Sequence, residues 1–202
     1  MTVYNFPTLS KRSLDSFEFN LQSNTQTFVS PLNGQTQTLE LPGAKWICTM
    51  SMQNVNEFDG RIIKAFLSSL RGASGRLNLG DLSHPTPSGT ALGTGTVNGT
   101  EQTGNTLITH GWTGAQSKLF LPGDYFSVNN ELKMITVLST SDSYGNSTLT
   151  FEPPLRTSPT NGGSIGVSNP TCVMMLIDDK QVNLPMKAGR IFAPVISFTE
   201  VF

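Results

Sequence analysis

The sequence predicts a mainly β protein: a β-sandwich with one flanking α-helix, plus an inserted small β-domain. Three observations carry this. Short apolar–polar alternations recur between Gly, Pro and Asn turn signals, as in Phe17, Phe19 and Leu21 or in Trp46, Cys48, Met50 and Met52. Only one stretch, Asn56 to Gly72, has a helical period, with Phe58, Ile62, Phe66 and Leu70 at every fourth residue and Ile63 and Leu67 beside them. From Asp81 to Asn169 the chain is rich in Gly and Pro, and at Cys172 an uninterrupted apolar run resumes. Residues 1–80 and 170–202 are therefore expected to form one helix-flanked sandwich, and residues 81–169 an inserted β-domain.

Taken in order, the first twelve residues have no periodicity, and Pro7 holds Phe6 extended. Val3, Tyr4, Phe6 and Leu9 of this arm lack a local surface to cover them and are candidate subunit-interface residues. Phe17 to Leu21 reads as a half-buried strand. Asn33-Gly34 signals a hairpin, with a second alternating strand from Thr38 to Leu41. The strand of Trp46 to Met52 follows, and the helix is expected to lie across the apolar side of these three. Asn56 is placed to cap the helix by accepting from the Asp59 N–H; Arg71 in the last turn and Gly72 after it are stop signals. Phe58, Ile62, Ile63, Phe66, Leu67 and Leu70 are the expected packing face.

After a strand at Arg76 to Leu79, the glycines and prolines from Ser83 to Gly104 predict a long loop. Strands follow at Leu107-Ile108, Leu119 to Leu121, Tyr125 to Val128, Leu132 to Leu138 and Leu149 to Phe151. Pro122-Gly123 and Tyr144-Gly145-Asn146 are turns, Asn129-Asn130 a tight hairpin, and Pro153-Pro154 the end of a strand. Cys172 to Ile177 reads as a central strand buried on both faces. Asp178-Asp179-Lys180 is a turn, and Ile191 to Phe202 returns to the sheet.

Composition narrows the function. Charged residues are 13% of the chain, about half the usual share for a globular domain, and the formal net charge is −1. There is no basic stripe to grip nucleic acid. No apolar run approaches the ~20 residues of a membrane span. The N-terminus lacks the apolar core of a secretion signal, so synthesis and folding in a cytoplasm are expected. Cys48 and Cys172, each in a predicted strand, then read as buried reduced thiols, and the sequons at Asn98 and Asn146 as turns.

No catalytic constellation is legible, and no cofactor or metal is expected. Gly162-Gly163-Ser164-Ile165-Gly166 fits the nucleophile-elbow pattern, but Asn169-Pro170 follows and no helix can start. His84 and His110 are the only histidines and both adjoin turn residues. Glu40, Asp124 and Glu152 have nothing to mark them as a catalytic pair. Trp46 is expected in the core. Trp112, in a turn-rich region, reads either as core or as an interface anchor, and is the candidate exposed aromatic.

Several stretches together resemble the distal tail protein family of long-tailed phages and prophages. They are Phe6-Pro7, Trp46, Ala65-Phe66-Leu67-Ser68-Ser69-Leu70-Arg71-Gly72, Gly89-Thr90-Ala91, Val97-Asn98-Gly99, Gln102-Thr103-Gly104, Gly111-Trp112, Leu121-Pro122-Gly123-Asp124 and Pro153-Pro154-Leu155-Arg156. The resemblance implies a virion protein of the tail tip, assembled in the host cytoplasm, without enzymatic activity. Its copies would form a ring, a hexamer, joining the tail tube protein to hub or fibre proteins around a channel for DNA. The family's outward domain is often a sugar-binding module, and no sugar-site motif is legible between Asp81 and Asn169. The alternative reading is a fibre-linked or carbohydrate-binding β-module for host attachment.

Overall fold

The computed structural model describes residues 2–7, 14–182, 186–187 and 191–202. Strands hold 48% of the chain and helices 11%, so the protein is mainly β with one α-helix, as expected. In chain order the strands are β1 (Val3–Asn5), β2 (Leu14–Gln22), β3 (Thr25–Val29), β4 (Thr36–Glu40) and β5 (Lys45–Met52). Helix α1 (Glu57–Leu70) is followed by β6 (Arg76–Leu79), β7 (Gly93–Val97), β8 (Gly104–Trp112), β9 (Gln116–Phe120), β10 (Tyr125–Val128), β11 (Glu131–Ile135), β12 (Ser139–Ser141) and β13 (Ser147–Leu155). The chain ends with β14 (Cys172–Leu176), β15 (Met186–Lys187), β16 (Ile191–Phe192) and β17 (Val195–Glu200). By density of internal contacts there are two compact units: Pro7–Arg76 with Met174–Phe202, and Val3–Phe6 with Leu77–Val173. We call them the helical unit and the middle unit.

The helical unit is built on a sheet in which the latter part of β14, then β17, β5 and β2 are successive neighbours. Alternation in β5 buries Trp46, Cys48, Met50 and Met52 on one face, with Ile196 and Phe198 of β17 buried beside them. Trp46 stacks on Phe19 with ring centroids 5.1 Å apart. Both cysteines are buried. In β14 the burial alternates, leaving Val173 and Met175 half-buried. That corrects the expectation of a strand buried on both faces: an unbroken apolar run does not itself distinguish one covered face from two.

At the start of α1 the Asp59 N–H donates to Asn56 Oδ1 at 2.8 Å, as the sequence suggested. The far end differs. Arg71 is not in the last turn; it is the left-handed cap itself, at φ 53°, with its N–H on Ser68 O. The buried face is Asp59, Gly60, Ile63, Leu67 and Leu70, rotated from the expected stripe. Ile62 and Phe66 are half-buried at its edge, and Phe58 is 67% exposed, which corrects its assignment to the packing face. The rotation matches a contact from far along the chain. Phe192 lies against the helix at Gly60, where any Cβ would overlap its ring, and bonds through its own backbone to Val55 (2.9 and 3.1 Å). Just beyond the helix, Asp179 Oδ1 accepts the Ala73 N–H at 2.7 Å, so one of the paired turn acids has a structural task.

Two expectations about the first strands are corrected. β3 and β4 form the hairpin signalled by Asn33-Gly34, but as a separate two-stranded sheet in which every residue is exposed; β2 pairs directly with β5. A threonine- and glutamine-rich alternation gives too little apolar surface to require a buried face. The N-terminal arm does have a local partner: β1 is the edge strand beside β6, with Asn78 Nδ2 donating to Asn5 Oδ1 at 3.3 Å. Val3 is exposed there and Tyr4 and Phe6 are half-buried, while Leu9 lies outside the described residues.

In the middle unit a five-stranded sheet, ordered β10-β11-β13-β8-β7, is covered by the ribbon of β9 and β12. Phe120, Phe126 and Phe151 fill the space between, in contacts of 5.3–6.2 Å. The two-residue Asn129-Asn130 hairpin is as expected, both residues having positive φ (51° and 62°). β13 does not stop at Pro153-Pro154 but runs to Leu155. The prolines fall where its register with β8 is irregular, between Thr150 and Leu155, so their missing N–H groups break no regular ladder.

β7 was unforeseen, because Gly93 and Gly95 read as loop residues. Gly95 is there for Trp112, whose indole occupies the space a Cβ would take. Trp112 is only 3% exposed; it donates from Nε1 to Thr109 Oγ1 at 2.8 Å and meets Phe120 edge-on at 5.5 Å. It is a core residue, which corrects its candidacy as an exposed aromatic.

Gly60→Ala tests the helix docking. Better helix propensity favours Ala by about 1 kcal/mol, but overpacking against Phe192 costs about 1–3 kcal/mol. Urea unfolding is expected to show net destabilisation; a gain in stability would mean that Phe192 does not set the helix rotation.

Candidate functional site

The sequence pointed to no site, and the structure shows what its candidate residues do instead. Ser164 sits in an extended segment of the middle unit, bridged to Thr96, and no helix follows it. Among the histidines, His110 faces Thr96 Oγ1 at 3.3–3.4 Å. His84 pairs with Asp81 through Nδ1 at 3.1 Å. Ser83 Oγ also lies on His84 Nδ1, at 3.2 Å, and donates to Asp81 Oδ1. A Ser–His–acid relay requires the hydroxyl and the acid on opposite ring nitrogens. Here both crowd one nitrogen, so the cluster is a turn lock. Burial raises the Asp81 pKa, but bonds from Ser83 and His84 outweigh it and hold the carboxyl below its ordinary value. Tyr125 is pushed up to about 12 by burial and by its bond to Asp81.

The acids are similarly committed. Asp124 is buried and accepts three backbone N–H groups: Ser88 at 2.6 Å, Gly89 at 3.0 Å and Leu121 at 2.7 Å. Glu152 accepts from Asn105, and Glu40 is exposed at the hairpin base. Glu131, which sequence reasoning passed over, accepts the N–H groups of Arg156 (3.1 Å) and Thr157 (3.3 Å) and the Thr157 hydroxyl (3.2 Å). Its ion pair with Lys133 spans 2.7 Å. The lysine is wholly buried, donates to Pro154 O at 2.8 Å and lies 5.9 Å from the Phe151 ring centroid. Burial pushes the Glu131 pKa up, but Lys133 and the Arg156 N–H more than offset this and hold it below the usual carboxylate value. A proton donor or acceptor in catalysis needs a free lone pair facing substrate. Asp124 and Glu131 spend theirs on the backbone.

Among the described residues no group of three or more His, Cys, Asp or Glu side chains is placed to hold a metal, and no helix is long and apolar enough to cross a membrane. Among the surface features of the described residues are a cleft and a hairpin. The cleft, of about 370 Å³ in the middle unit, is lined by Ser127, Asn129, Asn130, Thr160, Ser164 and Thr171 among others, without a charged or histidine side chain. Its volume is within the roughly 300–1,000 Å³ of small-molecule sites, but its walls are polar where such sites are mostly apolar. The other is the β3–β4 hairpin, which exposes Phe28 (58%), Val29 (61%), Leu32 (96%) and Leu39 (51%). The cleft was illegible because its residues come from separated turns, and the hairpin because alternation implied a covered face. Compared with protein-family models and with curated proteins, the sequence matches none.

The buried pair gives a pH test. Because the folded pKa of Glu131 is lowered, its stabilisation is present above the ordinary carboxylate value and is lost as pH falls through the folded one. Glu131→Gln is expected to flatten the acid limb of the urea-stability profile. Lys133→Met, leaving the carboxylate buried without its cation, is expected to cost about 3 kcal/mol at neutral pH. An unchanged acid limb in Glu131→Gln would remove Glu131 as the titrating anchor.

Proposed function

We propose that the chain is a structural subunit of a phage tail tip, a distal tail protein or a close relative. Copies form a ring, a hexamer in the family it resembles, that joins the tail tube to the hub or fibres and leaves a channel for DNA. The role is mechanical, not catalytic, and the site of action is the virion. The tail part of this reading rests on the sequence stretches that resemble the family. One observation carries the assembly part: the β3–β4 hairpin.

A two-stranded hairpin alone in water is marginally stable, and natural exposed strands are normally guarded by charge or proline. From Asn24 to Leu39 there is no charged residue. The register puts Phe28 opposite Gln37 and Leu39 opposite Gln26, so the two large apolar side chains share one face. A neutral, partly apolar ribbon whose outer edges pair with no other strand among the described residues gains most from contact with another neutral protein surface. A second copy of this weakly charged chain is that surface. The edge strand β1, with Val3 exposed, offers another place for a neighbour to add. Any channel through such a ring is weakly charged, which suits the passage of DNA without retention.

A second reading, a carbohydrate-binding β-module, is favoured by the uncharged polar cleft beside Asn129 and Asn130. The two readings differ in what the hairpin does. In the ring, Phe28→Ser combined with Leu32→Ser is expected to abolish concentration-dependent association in sedimentation velocity, with urea stability changed by no more than about 0.5 kcal/mol, as for surface positions. A wild-type chain that is monomeric at every concentration, or a variant that associates like wild type, would defeat the assembly reading.

A further inference from the structure

We infer that Asn33, at the tip of the β3–β4 hairpin, is a spontaneous modification site that converts to an aspartyl or isoaspartyl residue while the protein is folded. The chain has three Asn-Gly pairs, 33–34, 98–99 and 161–162, the dipeptide in which this reaction meets the least steric hindrance. All three asparagines are exposed, so exposure does not separate them. Backbone bonding does.

The reaction requires the backbone nitrogen of the glycine. That nitrogen loses its proton to solvent and attacks the side-chain carbonyl carbon of the asparagine. The bond to the amide nitrogen breaks, ammonia leaves, and a cyclic imide forms. Water then opens the imide at either carbonyl, giving Asp or isoaspartate with no oxidant or reductant involved. A glycine N–H held in a stable hydrogen bond cannot begin the sequence until that bond opens.

In the middle unit the glycines of both pairs are held by bonds to segments distant in sequence. The Gly99 N–H donates to Asn161 Oδ1 at 2.9 Å, so the attacking nitrogen of one pair is held by the amide of the other. The Gly162 N–H donates to the carbonyl of buried Val97 at 2.9 Å, and Val97 in turn donates to Gly163 O at 2.9 Å. Freeing either glycine means opening the contact between β7 and the 161–163 segment. At the hairpin tip, the Gly34 N–H bonds to Ser30 O, at 2.9 Å, within the turn itself. Asn33 Oδ1 accepts the Gln35 N–H at 3.1 Å, also within the turn. Nothing lies within 4 Å of where a Gly34 Cβ would be. Local opening of an isolated exposed hairpin lies at the low end of the range of opening free energies, and opening of a buried strand contact lies far higher.

The product puts a negative charge into a segment that has none. On the reading of the hairpin as a contact between copies, the charge lands in that contact and weakens it with time. The site itself does not depend on that reading.

The full-length chain, incubated at mildly alkaline pH and mapped by peptide mass spectrometry, tests the site directly. Asn33 is expected to convert about tenfold faster than Asn98 or Asn161 in the folded protein, with the three rates converging in denaturant. Equal rates in the folded chain would overturn the assignment. Asn161→Ala removes the acceptor that holds Gly99 and is expected to speed conversion of Asn98, whereas Asn161→Asp keeps an acceptor and leaves it slow. An Asn98 rate unmoved by Asn161→Ala would show that the lock does not exist. Asn33→Asp, read by sedimentation, tests the consequence separately: weaker association than wild type supports it, and equal association overturns it without touching the mass map.

Discussion

Buried backbone N–H groups must find acceptors, and in a unit with many turns the regular ladders cannot supply them all. The middle unit meets this need with two buried carboxylates. Asp124 gathers the N–H groups of Ser88, Gly89 and Leu121, and Glu131 gathers those of Arg156 and Thr157 while Lys133 neutralises it. Each carboxylate therefore fixes loops that are far apart in sequence onto a strand end. Remove either and the loops beside it lose their registration, although the sheet hydrogen bonds remain.

Several of the turn-like stretches singled out in the sequence hold these contacts. Gly89-Thr90-Ala91 contains one N–H held by Asp124, Leu121-Pro122-Gly123-Asp124 contains the carboxylate and another, and Pro153-Pro154-Leu155-Arg156 contains partners of both Lys133 and Glu131. Gly111-Trp112 belongs with Gly95, the glycine that makes room for the indole. These words specify how loops are pinned to a β framework. Asp124 and Glu131, the buried acids of the middle unit, are the ones the backbone N–H groups occupy.

What the sequence revealed was local chemistry with a strong geometric signature. Alternation in Trp46 to Met52, the Asn56 cap and the Asn129-Asn130 hairpin each depend on neighbours within a few residues, and each stands as expected. What it concealed depended on distant partners. β7 looked like loop because the reason for its glycines, Trp112, lies on another strand. The helix face was rotated by Phe192, far along the chain, and Lys133 carried no sign that it would be buried against Glu131. Neither surface feature was legible: the cleft assembles from separated turns, and no local pattern distinguishes a covered alternating strand from an uncovered one.

The central claim, that a second copy covers the hairpin, is tested most directly by hydrogen exchange as a function of protein concentration. Amides facing outward on Thr25–Val29 and Thr36–Glu40 pair with no other strand among the described residues, while those of β8 and β13 are bonded within the middle unit. If copies meet at this ribbon, hairpin amides gain protection as concentration rises and those of β8 and β13 stay as they were. Hairpin exchange that stays fast and independent of concentration, while larger species form, would contradict the claim and move the contact elsewhere on the chain.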